Sequence, residues 1–267
     1  MDKVNNRKAG LIKFGTFEHM KAFYEKGEMY FNTFKFFKDL EANGDGRADK
    51  NEYASLHYSG NGLDNYSIKM FPTGHPELAV DLNRKNGLLG LTIDFENDKE
   101  YSHLYSMSCL DLEEIITNNL IIDMRNFAPT KDYAVVIYNH EVFIDRFIET
   151  IKKKYRCNCK CTTVEYVDKN SYCGEMGAFR KFTEFSYQNE YRIAVNFNTL
   201  EPQTIYIDSL VDIATPPLNM EDFYKQKLKI EHKDKNGNII NTTNITNEIA
   251  LKIINQQEEP HECMTQS

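Results

Sequence analysis

The hydrophobic pattern along the chain changes period several times, and each change marks an element. Leu11-Ile12-Lys13-Phe14 reads as a short strand. Phe17, Met20, Phe23 and Tyr24 then recur at helical spacing, behind a Thr16 whose hydroxyl can cap the helix. Gly27 is a natural stop for that helix, because glycine tolerates the left-handed conformation. Met29-Tyr30-Phe31 predicts a second strand, so the opening is β-α-β, followed by an aromatic run over 34–37. Residues 41–65 are polar and glycine-containing, which predicts loop with one short helix.

Strands are expected over 88–95 and 104–109, and a helix over 112–120. The clearest unit lies over 133–167. Ala134 to Tyr138 predicts a buried strand, and Asn139 can cap a helix with apolar positions Val142, Phe143, Phe147 and Ile151. Lys152, Lys153 and Lys154 close it favourably for the helix dipole. Residues 157–167 alternate like a strand, 182–197 predict a long strand, and 205–213 another. Pro216-Pro217 marks a boundary, Asn236-Gly237 signals a hairpin turn, and a helix is expected over 245–254. The pattern predicts an α+β fold with a mixed or mainly antiparallel sheet core and flanking helices. Residues 1–216 would form the main domain and 217–267 a C-terminal appendage.

Composition narrows the function classes. A length of 267 residues supports a full hydrophobic core, filled here by 17 Phe and 16 Tyr. The formal charge of -8 argues against nonspecific nucleic-acid binding, which needs a basic surface. No run reaches the roughly 18 consecutive apolar residues of a membrane span, and residues 1–10 lack the apolar stretch of a signal peptide. The 6 cysteines are then expected to be reduced thiols in a cytoplasmic protein with no membrane partner.

Three groups of residues can carry chemistry. On an extended strand, Tyr187, Tyr191, Ile193, Val195 and Phe197 would share an apolar face and Gln188, Glu190 and Arg192 the other. A carboxylate beside an amide and a guanidinium can bind a sugar hydroxyl and stabilise positive charge on a ribose. The same pattern also describes a strand with a solvated polar face. Secondly, Glu41, Asn43, Asp45, Gly46, Asp49 and Glu52 fall at positions 1, 3, 5, 6, 9 and 12 of a calcium loop. Against calcium stand Glu at position 1, Ala48 at position 8 and the lack of a second loop. Asp49 capping a helix with Glu52 reaching back, or a substrate-facing loop, fits the same residues. Thirdly, Cys157, Cys159 and Cys161, with Cys173 beyond, offer thiolates but lack the two-residue gaps of structural zinc sites, so they are expected to pack as apolar groups and bind no metal. The 7 histidines form no paired metal spacing.

The Gln188-x-Glu190 spacing resembles the glutamine–any–glutamate element of one branch of ADP-ribosyltransferases. That resemblance implies NAD as substrate. It places Glu190 on the nicotinamide-side ribose and gives Gln188 a part in choosing a protein or nucleic-acid acceptor; Arg192, on the same strand face, would hold Glu190 in place and completes the catalytic set. Ser106-Met107-Ser108 resembles the branch's serine-centred strand, which adds Ser106 and Ser108 to the substrate-binding set. The branch carries an arginine on its first strand, where this chain has Lys13, with Arg7 ahead of it. Arg47, Asp49 and Glu52, taken with the 188–192 run, are also similar to a group of uncharacterised bacterial proteins. The expected function is ADP-ribosyl transfer by a toxin or defence effector of a bacterium or phage. The competing expectation is a noncatalytic interaction or regulatory protein of such a system, and a metal-binding regulator is the third.

Overall fold

The computed structural model describes residues 8–37, 54–59, 63, 68–82, 85, 88–93, 100–111, 132–224 and 227–246. In chain order, the first described elements are β1 (Lys8–Gly15), α1 (Phe17–Lys26), β2 (Glu28–Thr33), β3 (Leu56–Ser59), β4 (Ile68–Met70), β5 (Val80–Leu82), β6 (Gly90–Ile93) and β7 (His103–Asp111). Next come β8 (Tyr133–Ile137), α2 (His140–Thr150), β9 (Cys159–Thr163), β10 (Glu165–Val167), β11 (Cys173–Glu175), β12 (Arg180–Phe182) and β13 (Glu190–Val195). The last are β14 (Gln203–Tyr206), β15 (Leu218–Asn219), α3 (Met220–Tyr224), β16 (Lys227–Lys233) and β17 (Ile239–Thr246). The pairings of β1 with β7 and β8, of β9 with β13 and of β2 with β7 and β14 are antiparallel and that of β10 with β12 is parallel, so the fold is α+β with a mainly antiparallel sheet. No described helix is long and apolar enough to cross a membrane.

The chain divides into two units, each assembled from separated segments. Unit one contains Met1–Gly27, Ser108–Phe143 and Asp208–Ser267. In it β1 lies between β8 and the 108–111 part of β7, with Leu11 opposite both Cys109 and Ile137. Helix α1 follows β1 because Thr16 caps it, its hydroxyl accepting from the His19 N–H at 3.4 Å, and it ends at Gly27 with φ 62°. Of the apolar positions expected on its inner face, Met20 and Phe23 are buried and Phe17 is exposed. Phe23 meets Phe143 edge to face, with ring centroids 6.0 Å apart. Each such buried ring contributes about 1.5–3 kcal/mol relative to exposure.

Unit one continues beyond Pro217. Leu218 and Asn219 pair with Ala134 and Tyr133 of β8, and the buried Phe223 packs edge to face on Phe14 at 5.9 Å. The double proline therefore bends the chain without ending its packing. The Asn236-Gly237 signal does mark a hairpin, β16 with β17. Its turn is wider than two residues: the Asp234 carboxylate accepts from the N–H groups of Asn236 and Asn238, and of the two signal residues Gly237 alone takes a positive φ. Ile245 and Thr246 belong to β17, not to the helix expected there, and 247–254 lie outside the described residues.

Unit two contains Glu28–Met107 and Ile144–Ile207. Here β13 lies between β7 and β9, and β2 joins β7 to β14. Phe31 is at the centre of an aromatic group, with Tyr105, Phe147 and Phe197 rings at 5.3, 6.0 and 5.6 Å. A second group, Ala54, Val167, Met176 and Phe182, lies under β3 and β12.

Candidate functional site

The 182–197 segment is not one strand. After Phe182 the chain turns through a 3₁₀ run, Thr183–Gln188, and Asn189 adopts a left-handed conformation with φ 41° before β13 starts at Glu190. Asparagine reaches this region more readily than most residues, and its N–H is satisfied by the Ser186 carbonyl at 3.0 Å. Strand alternation therefore does not place Gln188 and Glu190. They meet all the same, through a residue that the motif does not contain. Lys181 Nζ donates to Gln188 Oε1 at 2.8 Å and to Glu190 Oε1 at 3.1 Å. Arg192 Nε donates to Glu190 Oε2 at 2.6 Å, and Arg192 Nη1 donates to the Ala178 carbonyl at 2.7 Å. The Glu190 backbone N–H donates to the Tyr166 hydroxyl at 2.9 Å.

This network is interior. The side chains of Lys181, Arg192 and Glu190 are 3, 1 and 14% exposed. The alternative of a solvated polar face on β13 does not hold, because residues 191–195 are buried on both faces of the strand. Burial by itself would raise the Glu190 carboxyl. The charges and hydrogen bonds of Arg192 and Lys181 outweigh it and hold the group at about 2. The carboxylate is thus fixed and ionised, with a cation on each oxygen.

Beside the network, in the same unit, is a cleft of about 700 Å³. One wall is the segment 175–180. The Met176 and Gly177 N–H groups donate to the Ser55 and Ala54 carbonyls at 3.2 and 2.9 Å, and Gly177 turns with φ 60°. Arg192 holds this wall from behind through the Ala178 carbonyl. Strand β9 supplies Lys160, Thr162 and Thr163. Among the described residues that line the cleft, Gln188, Glu190 and Arg192 are absent. They are its frame.

The remaining candidates are on other elements, Ser106 among them on β7, which pairs with β13. Lys13 sits opposite Val135, and the buried Ser108 opposite Ile12, both in unit one. Ser106 is half-buried on the unit-two part of β7. Arg47, Asp49 and Glu52, and with them the whole calcium-loop or helix-cap segment, lie outside the described residues, as does the helix expected over 112–120. Cys157, Cys159 and Cys161 are half-buried thiols. Burial raises all three above the usual thiol range, most strongly Cys161, where the neighbouring Cys159 adds to it. Cys173 donates to the Ser59 carbonyl at 3.3 Å and accepts from the Ser59 N–H at 3.2 Å. No three His, Cys, Asp or Glu side chains among the described residues converge as metal ligands would.

Sequence reasoning passed over Lys181, Lys160 and Arg180. One local signal was available: Gly174 and Gly177, both at positive φ, lie just before and within the cleft wall. No protein-family model, curated protein or solved structure matches the chain.

Proposed function

We propose that this protein is a noncatalytic binding protein of the regulatory kind, acting through the cleft of unit two. One observation carries the reading: both oxygens of Glu190 are taken by cations that are themselves buried, Lys181 and Arg192. A carboxylate in that position compensates interior charge and supports the Ala178 wall. A carboxylate placed for catalysis is commonly held at a cost to stability, so its removal is neutral or stabilising. Removing one that compensates buried cations costs about 3–5 kcal/mol. Urea unfolding of Glu190→Gln separates the two, with a loss of that size expected. An unchanged or raised midpoint overturns the binding reading.

ADP-ribosyl transfer is the second reading, and one observation favours it. Glu190 stays ionised down to about pH 2 and is rigidly held beside Gln188, which suits stabilisation of positive charge on a ribose. The assay incubates the full chain with labelled NAD and cell lysate. On the binding reading, no nicotinamide is released and no label is transferred. Nicotinamide release by the wild type, with label carried to a lysate acceptor whose choice changes in Gln188→Ala, establishes transfer instead. That variant serves because Gln188 supplies an amide to the network and no charge.

A further inference from the structure

We propose that the unit-two cleft binds a ring compound rich in hydroxyls and free of phosphate, of the glycoside or nucleoside type; this rests on the binding reading above. The case begins with which groups in the cleft are already engaged. Arg180 Nε donates to Glu165 Oε2 at 2.7 Å, and its Nη1 donates to the Glu175 carbonyl at 2.8 Å. The Tyr101 hydroxyl donates to Glu100 Oε1 at 2.8 Å. Lys160 Nζ lies over the Phe179 ring, 5.0 Å from its centroid, and makes no ion pair among the described residues. The Glu175 carboxylate likewise has no ion-pair partner among them. Among the described residues the second Glu100 oxygen, the Glu175 carboxylate and the Lys160 ammonium make no ion pair, and with the Thr162 and Thr163 hydroxyls they line the cleft where a ligand would meet them.

This set is selective by its mixture. Three carboxylates, Glu100, Glu165 and Glu175, stand against two cations, Lys160 and Arg180, so a polyphosphate meets net negative charge. An apolar ligand would desolvate the charged groups without replacing their hydrogen bonds. A hydroxyl both donates and accepts, so one polyol can satisfy carboxylates, ammonium and threonines together. The half-buried Phe179, edge to face at 5.9 Å with the buried Tyr101, adds apolar surface for the carbon side of a ring. The volume of about 700 Å³ is that of a small-molecule site.

The test titrates the full chain by calorimetry with adenosine, methyl glucoside, and the phosphorylated counterparts ADP and glucose 6-phosphate. Adenosine or methyl glucoside is expected to bind with Kd below about 1 mM, its phosphorylated counterpart at least about tenfold more weakly. The two uncharged arms distinguish a nucleoside from a glycoside. Glu175→Gln and Lys160→Met, both at exposed positions, should each weaken binding at least about fivefold while unfolding like the wild type. The proposal is overturned if neither uncharged compound binds below about 1 mM, if the phosphorylated form binds as well or better, or if both variants bind as the wild type does. Because no NAD is present, failure here leaves the noncatalytic reading standing. Nicotinamide release in the separate assay removes that reading without altering this titration.

Discussion

At the scale of single residues, the informative groups are polar side chains that the fold takes inside. Lys181, Glu190 and Arg192 form one example, and His103 is another. His103 is fully buried; its Nε2–H donates to the Glu201 carbonyl at 2.8 Å, leaving Nδ1 to meet the Ser102 hydroxyl at 2.7 Å. Burial lowers its pKa, and the Glu201 hydrogen bond only partly opposes this. The folded state therefore binds fewer protons than the unfolded chain below the ordinary histidine value of about 6.5, and stability falls as pH drops through that region. Urea midpoints at pH 7.5 and 5.5 should differ in the wild type and differ less in His103→Gln; an equal pH dependence would remove His103 as the cause. Neither cluster was legible as such. Alternation along the sequence brought Gln188, Glu190 and Arg192 together, but the structure joins them through Lys181. Alternation left open whether their face is a binding cleft or solvated, because nothing local shows what packs over a strand's face.

At the scale of elements, the chain is legible where a cap or glycine fixes the backbone. Thr16 and Gly27 bound α1 as expected, and the Asn139 side chain caps α2, accepting from the Val142 N–H at 3.3 Å. It is less legible where a turn is made without glycine or proline. Asn189 takes positive φ and ends a helical segment inside an apolar pattern. Gly10 illustrates a constraint set by pairing instead of by conformation. A Cβ there would lie 2.6 Å from the Ile137 carbonyl oxygen of the neighbouring strand. Gly10→Ala should push β1 from β8 and lower stability by about 1–3 kcal/mol, the usual range for overpacking. Urea denaturation followed by circular dichroism measures it; a wild-type midpoint would mean that β1 adjusts freely.

At the scale of the whole molecule, the chain passes four times between the two units, at 27/28, 107/108, 143/144 and 207/208. Period and turn signals report on neighbours in sequence, whereas Leu11 finds Ile137 and Tyr191 finds Thr163 only through folding. The α+β class was therefore legible, and the expected division after Pro217 rested on the double proline, the Asn236-Gly237 hairpin signal and the charge density of 225–235. Residues 218–224 give that division a direct test. Ending the chain at Thr215 removes β15 from β8, the Met220 N–H bond to the Asp132 carbonyl at 2.9 Å, and the Phe223 ring from Phe14. Loss of the buried Phe223 alone is of the kind that costs about 3–5 kcal/mol. Ending it at Tyr224 keeps all of these and removes only the residues beyond α3. The Tyr224 truncation should unfold cooperatively near the wild-type urea midpoint, while the Thr215 truncation should show a much lower midpoint or no cooperative transition. Matching midpoints would place the edge of unit one at Pro217; collapse of both would make the β16–β17 hairpin part of what holds unit one together.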